Sequence, residues 1–192
     1  MAVNKREHTY HRRGELLRHI RPRERGEGRN EVADCALLAW TALEIYDRSR
    51  QQAWAELAGS HLDHALEKLC RRGGCFAEEN GLGKAAVYPA ANALMLAALA
   101  RGGRVLGEER YLRAARTLRV FLKTRLTDPQ GFLYRFWRDR EAVGQGHLED
   151  YALYILALIA LYEADGSRFC LREAMHLTDQ MAARFGGQIA AQ

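Results

Sequence analysis

An internal repeat constrains this chain more than any other feature. Three apolar segments open on an Asx-type residue: Asp34-Cys-Ala-Leu-Leu-Ala, Asn92-Ala-Leu-Met-Leu-Ala and Asp150-Tyr-Ala-Leu-Tyr-Ile, spaced 58 and 58 residues apart. Each is followed by a second segment opened by an aromatic, at Trp54, Tyr111 and Phe169, spaced 57 and 58. Glycines at Gly73-Gly74, Gly131 and Gly186-Gly187 predict the turns that close the units. A fixed period of this length is the mark of a stacked repeat architecture.

The two segments of a unit have different polarity. The first is apolar nearly all round, as in Ala90–Ala100 and Tyr151–Tyr162, and a helix without a polar face is buried on every side. The second is amphipathic, with apolar stripes at helical spacing: Trp54, Ala58, Leu62, Ala65 and Leu69; then Tyr111, Ala115, Leu118 and Leu122; then Leu171, Met175, Thr178, Met181 and Phe185. Strand alternation is absent from these segments. The predicted fold is all-α: three helical hairpins, about 31–72, 88–127 and 147–186, in an α/α-toroid-like half-barrel array spanning 31–187, with a tail at 188–192. A closed ring of six such hairpins needs about 340 residues. A half ring leaves an apolar face at each end, which predicts a homo-oligomer or docking on another protein chain.

Charge and composition narrow the function classes. Residues 1–30 hold nine Lys/Arg and four Asp/Glu, which accounts for the whole net charge of +5. The rest of the chain is neutral, so the basic balance belongs to an N-terminal arm, and a nucleic-acid surface on the folded part is disfavoured. Within the arm, Glu15–Ile20 suits a short helix and Arg21–Gly28 a linker. No apolar run is long enough for a membrane span, and no apolar stretch follows the charged N-terminus as a secretory signal requires, so a cytoplasmic location is expected. The cysteines, Cys35, Cys70, Cys75 and Cys170, show no CxxC or zinc-finger spacing. Cys70 and Cys75 flank a Gly-Gly turn and would pair only in an oxidising compartment. Gly81–Gly83 suits a loop and Gly102-Gly103 a turn, but neither has the flanking residues of a phosphate loop. No cofactor or metal is expected.

Residues 82–186 resemble the helical domain of the YyaL and spermatogenesis-associated protein 20 family. The matching stretches are Asn92-Ala-Leu-Met-Leu-Ala-Ala-Leu-Ala, Arg104-Val-Leu-Gly-Glu-Glu-Arg-Tyr-Leu-Arg-Ala-Ala and Gly146-His-Leu-Glu-Asp-Tyr-Ala-Leu-Tyr-Ile-Leu-Ala-Leu-Ile-Ala-Leu-Tyr-Glu-Ala. The resemblance implies an (α/α)6 barrel similar to six-hairpin glycosidases and N-acylglucosamine 2-epimerases. Two departures stand out. Ala91-Asn92-Ala-Leu-Met replaces the family's Trp-Asn-Gly-Leu-Met, and these 192 residues contain neither a thioredoxin-like domain nor the glycine-rich segments that follow the Leu-Glu-Asp-Tyr hairpin.

In such barrels the resemblance implies a pocket lined by the starts of the inner helices. Here those positions are Asn30, Glu31 and Asp34; Tyr88 and Asn92; and His147, Glu149 and Asp150. His147 with Glu149 and Asp150 is the candidate acid–base group, since a carboxylate pair beside an imidazole suits glycosidic or proton-transfer chemistry. Asp34, Tyr88 and Asn92 are candidates to hold a sugar. Helix N-termini supply unpaired N–H groups there, but Asp and Asn at helix starts equally serve as caps. The stretch Tyr134, Phe136, Trp137 with Arg135 and Arg138 is an aromatic and arginine-rich loop that would either stack a sugar or a base, with Trp137 as the candidate, or pack beneath the loop. His61 and His64 share a helix face with Asp63 between them, which suits a solvated surface better than a metal site. Trp40 and Trp54 sit at apolar positions and suit the core. Two functions follow from these features: a carbohydrate-related module with a sugar ligand, or a non-catalytic helical scaffold that self-associates or binds a partner.

Overall fold

The computed structural model describes residues 30–77 and 85–189. The basic arm, the Gly81–Gly83 loop and the last three residues lie outside these. The chain forms three helical hairpins: α1 (Glu31–Ser49) with α2 (Gln52–His64), α3 (Pro89–Leu106) with α4 (Glu109–Arg125), and α5 (Leu148–Asp165) with α6 (Arg168–Ile189). A single π-turn, Ala65–Leu69, extends α2. Helices α1, α3 and α5 pack side by side as an inner layer, and each carries its own outer helix. The all-α, two-layer fold is the predicted one. Among the described residues no helix is long and apolar enough to cross a membrane.

Local signals set the ends of the helices. The Asn30 side chain accepts from the Ala33 N–H at 3.2 Å and caps α1. Proline opens α3, where its missing N–H costs nothing. Gly107 and Gly166 end α3 and α5 at φ near +70°, the left-handed conformation a glycine adopts without a Cβ clash.

The third hairpin corrects the repeat. The outer helices begin at Gln52, Glu109 and Arg168, so the structural spacing is 57 and then 59. One added residue rotates a helix by about 100° relative to its expected face. Accordingly α6 buries Cys170, Ala174 and Leu177, equivalent to Tyr111, Ala115 and Leu118, whereas the expected Leu171, Met175 and Thr178 are exposed. The stripes predicted on α2 and α4 are correct. Glu173 also lies on the buried face of α6: its carboxylate takes the Tyr154 hydroxyl at 2.7 Å and two Arg119 nitrogens, tying hairpin three to hairpin two. Burial, with Glu173 adding to it, pushes the Tyr154 hydroxyl well above its ordinary pKa.

Two predicted turns and one predicted loop take other forms. Gly102 and Gly103 lie inside α3 as contact glycines. A Cβ on Gly102 would stand 2.5 Å from Leu62 Cδ1, and one on Gly103 would stand 3.0 Å from Leu112 Cβ, so these residues let the outer helices approach. Helix α6 runs through Gly186 and Gly187 to Ile189 without a turn. The arginine- and aromatic-rich loop is a β-hairpin, β1 (Tyr134–Arg138) paired antiparallel with β2 (Glu141–Gln145). Its two turn residues, Asp139 and Arg140, both have positive φ, as a two-residue hairpin that matches strand twist requires.

Most other predicted core and cysteine positions agree. Trp40 and Trp54 are half-buried against the core. All four cysteines are free thiols, and burial raises the Cys75 thiol to about 11. Helix α3 is buried almost all round as expected; α5 is not, since Leu148, Leu156 and Ile159 are exposed.

Candidate functional site

The inner helices all start at one end of the half ring, where the α2–α3 and α4–α5 connections also lie. There the segment before α3 adds a third strand-like element to the β-hairpin. Val87 and Trp137 exchange both backbone hydrogen bonds, at 2.8 and 2.9 Å. Side chains alternate across such a surface. Tyr88, Phe136 and Val143 therefore share one face: Val143 pairs with Phe136, and the Tyr88 and Phe136 rings lie 6.0 Å apart, tilted by 53°. Tyr88 and Val143 are exposed and Phe136 half-buried. The Arg138 guanidinium lies 5.1 Å from the Phe136 ring centroid and that of Arg135 lies 5.9 Å from Tyr88.

Trp137 sits on the other side. Strand alternation turns it toward α4, where it meets Phe121 edge-on at 5.3 Å, so the aromatic beside Tyr88 is Phe136 and not Trp137. A strand assignment for 134–138 from its alternation would have identified this.

Asp150 is fully buried at the start of α5. One Arg135 nitrogen bridges both its oxygens at 3.0 and 2.9 Å, and the His147 backbone N–H donates to it at 2.7 Å. It thus joins β1 to α5 and caps the helix, and its charge is balanced by Arg135. His147 and Glu149 are exposed beside it. The predicted trio is therefore adjacent in space, with Asp150 directed inward and the other two side chains facing out.

Asn92 lies 1% exposed in the first turns of α3. Its carbonyl accepts from Phe76 N–H at 2.8 Å, and its amide donates to the carbonyls of Phe76 at 2.9 Å and Tyr88 at 3.0 Å. It clasps the preceding loop as a strand neighbour would. In the third hairpin the structural counterpart is Tyr151, whose hydroxyl takes the Leu133 N–H at 2.9 Å, so Asp150 is not the equivalent of Asn92. Asp34 is half-buried in α1.

The His61–His64 surface differs from expectation. His64 faces Glu31 at 3.0 Å, whereas His61 is buried and its Nε2 meets no hydrogen-bond partner. Burial first, and the neighbouring His64 second, lower its pKa below the ordinary histidine value. Among the described residues no three His, Cys, Asp or Glu side chains converge as a metal site would require. A cavity of about 510 Å³ opens between Tyr134 and Gln145 of the β-hairpin and Ala183 and Arg184 of α6, one same-face residue along β1 from Phe136.

No protein-family profile and no curated sequence matches the chain. Solved structures do match it in fold. A cellobiose 2-epimerase from Spirochaeta thermophila superposes with a TM-score of 0.70 at 17% identity, over 78% of this chain and 42% of that one. A family 76 glycoside hydrolase (mannosidase) from Bacteroides thetaiotaomicron gives 0.69 at 11% identity over 80% and 44%, and a sugar epimerase from a ruminal bacterium gives 0.72 at 14% over 79% and 43%. The chain spans less than half the length of these proteins and shares their α/α-toroid fold.

Proposed function

We propose that this chain is a carbohydrate-binding α/α-toroid module whose ligand lies against the Tyr88–Phe136 face. The observation behind this reading is the exposed Tyr88 ring beside the half-buried Phe136, bracketed by Arg135 and Arg138, at the end where the inner helices begin. Aromatic faces take the C–H side of a pyranose, and guanidinium groups donate to its hydroxyls. The epimerase and mannosidase names of the fold neighbours support the same ligand class, as does the likeness of Gly146–Ala164 to the YyaL and spermatogenesis-associated protein 20 helical domain. Any acid–base step at this end falls to His147 and Glu149, because Asp150 is occupied by Arg135.

Calorimetric titration with cellobiose and with mannose-containing oligosaccharides tests the reading. Binding is expected in the wild type and lost in both Tyr88→Ala and Phe136→Ala, with helicity unchanged. No binding at millimolar sugar, or binding that survives both substitutions, overturns it. His147→Ala is expected to leave affinity intact and to abolish any turnover.

A further inference from the structure

The repeat shows what each inner helix presents to its neighbours. The inner helices end on left-handed caps at Arg50, Gly107 and Gly166, spaced 57 and 59, so Trp40 and Leu43 of α1 correspond to Ala97 and Ala100 of α3 and to Leu156 and Ile159 of α5. This row faces the next hairpin. Leu43, Ala97 and Ala100 are buried and Trp40 half-buried, while Leu156 is 59% and Ile159 36% exposed. The opposite row faces the preceding hairpin: Leu38, Thr41 and Ile45 in α1, then Met95, Ala98 and Gly102 in α3, then Tyr154, Ala157 and Leu161 in α5. It is buried in α3 and α5; in α1 Thr41 is exposed and Leu38 and Ile45 half-exposed.

The two open rows are therefore the two halves of the contact that the chain already makes twice, between α1 and α3 and between α3 and α5. The inner helices run parallel, so the rows meet level with one another.

We infer that these rows bind each other across two copies of this chain, α5 of each copy against α1 of the other, so that a two-fold pair closes a ring of six hairpins. A two-fold axis brings both junctions together at once, and the dimer then closes without further growth. The α1–α3 and α3–α5 interfaces continue unbroken through each junction. This contact uses none of Tyr88, Arg135, Phe136 and Arg138 and is independent of the sugar reading.

Light scattering on the full 192-residue chain, over a concentration series, is expected to give twice its 21.8 kDa mass. Leu156→Arg and Thr41→Arg are each expected to be monomeric with unchanged helicity, because both side chains are exposed in the single chain. Mixed in equal amounts they should re-form a dimer, since one junction then pairs two unaltered rows. A wild-type monomer throughout the series, as when residues 1–29 cover these rows within one chain, overturns the inference. So does a dimer that tolerates either substitution, or a mixture that stays monomeric, which would place like rows against like.

Discussion

Asn92 separates a structural reading of the helix starts from a ligand-binding one. Replacing it with alanine removes the acceptor for the Phe76 N–H and the donor for the Phe76 carbonyl. Both groups belong to a residue that is 1% exposed, so water does not readily replace the lost partner. A buried backbone group left unpaired costs about 1–3 kcal/mol, so the pair should cost about 2–6 kcal/mol. That is a large part of the roughly 5–15 kcal/mol that holds a domain together. Urea unfolding of Asn92→Ala should show a lower midpoint at unchanged slope, and amide exchange at Phe76 should accelerate with it. Tyr151→Phe removes one acceptor only, that of Leu133, and should cost about 1–3 kcal/mol. If Asn92→Ala moves stability by less than about 0.5 kcal/mol and instead abolishes sugar affinity, the clasp is not structural and this reasoning fails.

Three other outcomes are expected. Gly102→Ala should lower Tm, because a packing penalty of about 1–3 kcal/mol against Leu62 outweighs about 1 kcal/mol of helix propensity; a higher Tm would mean that Leu62 moves aside freely. His61 is held neutral by burial, so the folded state binds fewer protons than the unfolded state below the ordinary histidine pKa. Its contribution should be complete above about pH 6.5 and lost as pH falls toward the lowered folded value, at no more than about 1.4 kcal/mol per pH unit. Urea midpoints between pH 7.5 and 5 should show this slope, and His61→Leu should flatten it. Glu173→Ala leaves the Tyr154 hydroxyl and the Arg119 guanidinium without their carboxylate and should cost about 3 kcal/mol; Glu173→Gln should cost less, and equal losses would show that the charge contributes nothing.

The fold was legible because burial follows periodicity, and the stripes on α2 and α4 carry few polar interruptions. The α6 stripe was not, for two reasons that lie elsewhere in the chain. The extra residue enters the third unit before α6, and Glu173 looks like a surface residue until Arg119 and Tyr154 arrive from other helices. The letter match of Asp34, Asn92 and Asp150 concealed the shift, since the structural counterpart of Asn92 is Tyr151. Gly102 and Gly103 read as a turn because a dipeptide of glycines cannot announce which helix presses on it. At the candidate site, the sequence placed Tyr88, His147 and Glu149 at the starts of the inner helices, where they are exposed. It could not show that Asp150 turns inward, because its partner Arg135 comes from a strand whose two-residue turn, Asp139-Arg140, lacks the usual Asn-Gly signal.

The reach of the ties between hairpins has a consequence for how the chain folds. Among the described residues, side-chain ties between hairpins reach about one repeat along the chain, as in Arg101 to Glu44, 57 positions apart, and Arg119 to Glu173, 54 apart. Each hairpin finds its partners in the one beside it, so the entropy of loop closure is met in instalments of about one repeat, each growing only slowly with length. Order should spread outward from the central hairpin, which has a neighbouring hairpin on both sides within one chain, and its α3 amides should be the last to exchange with solvent.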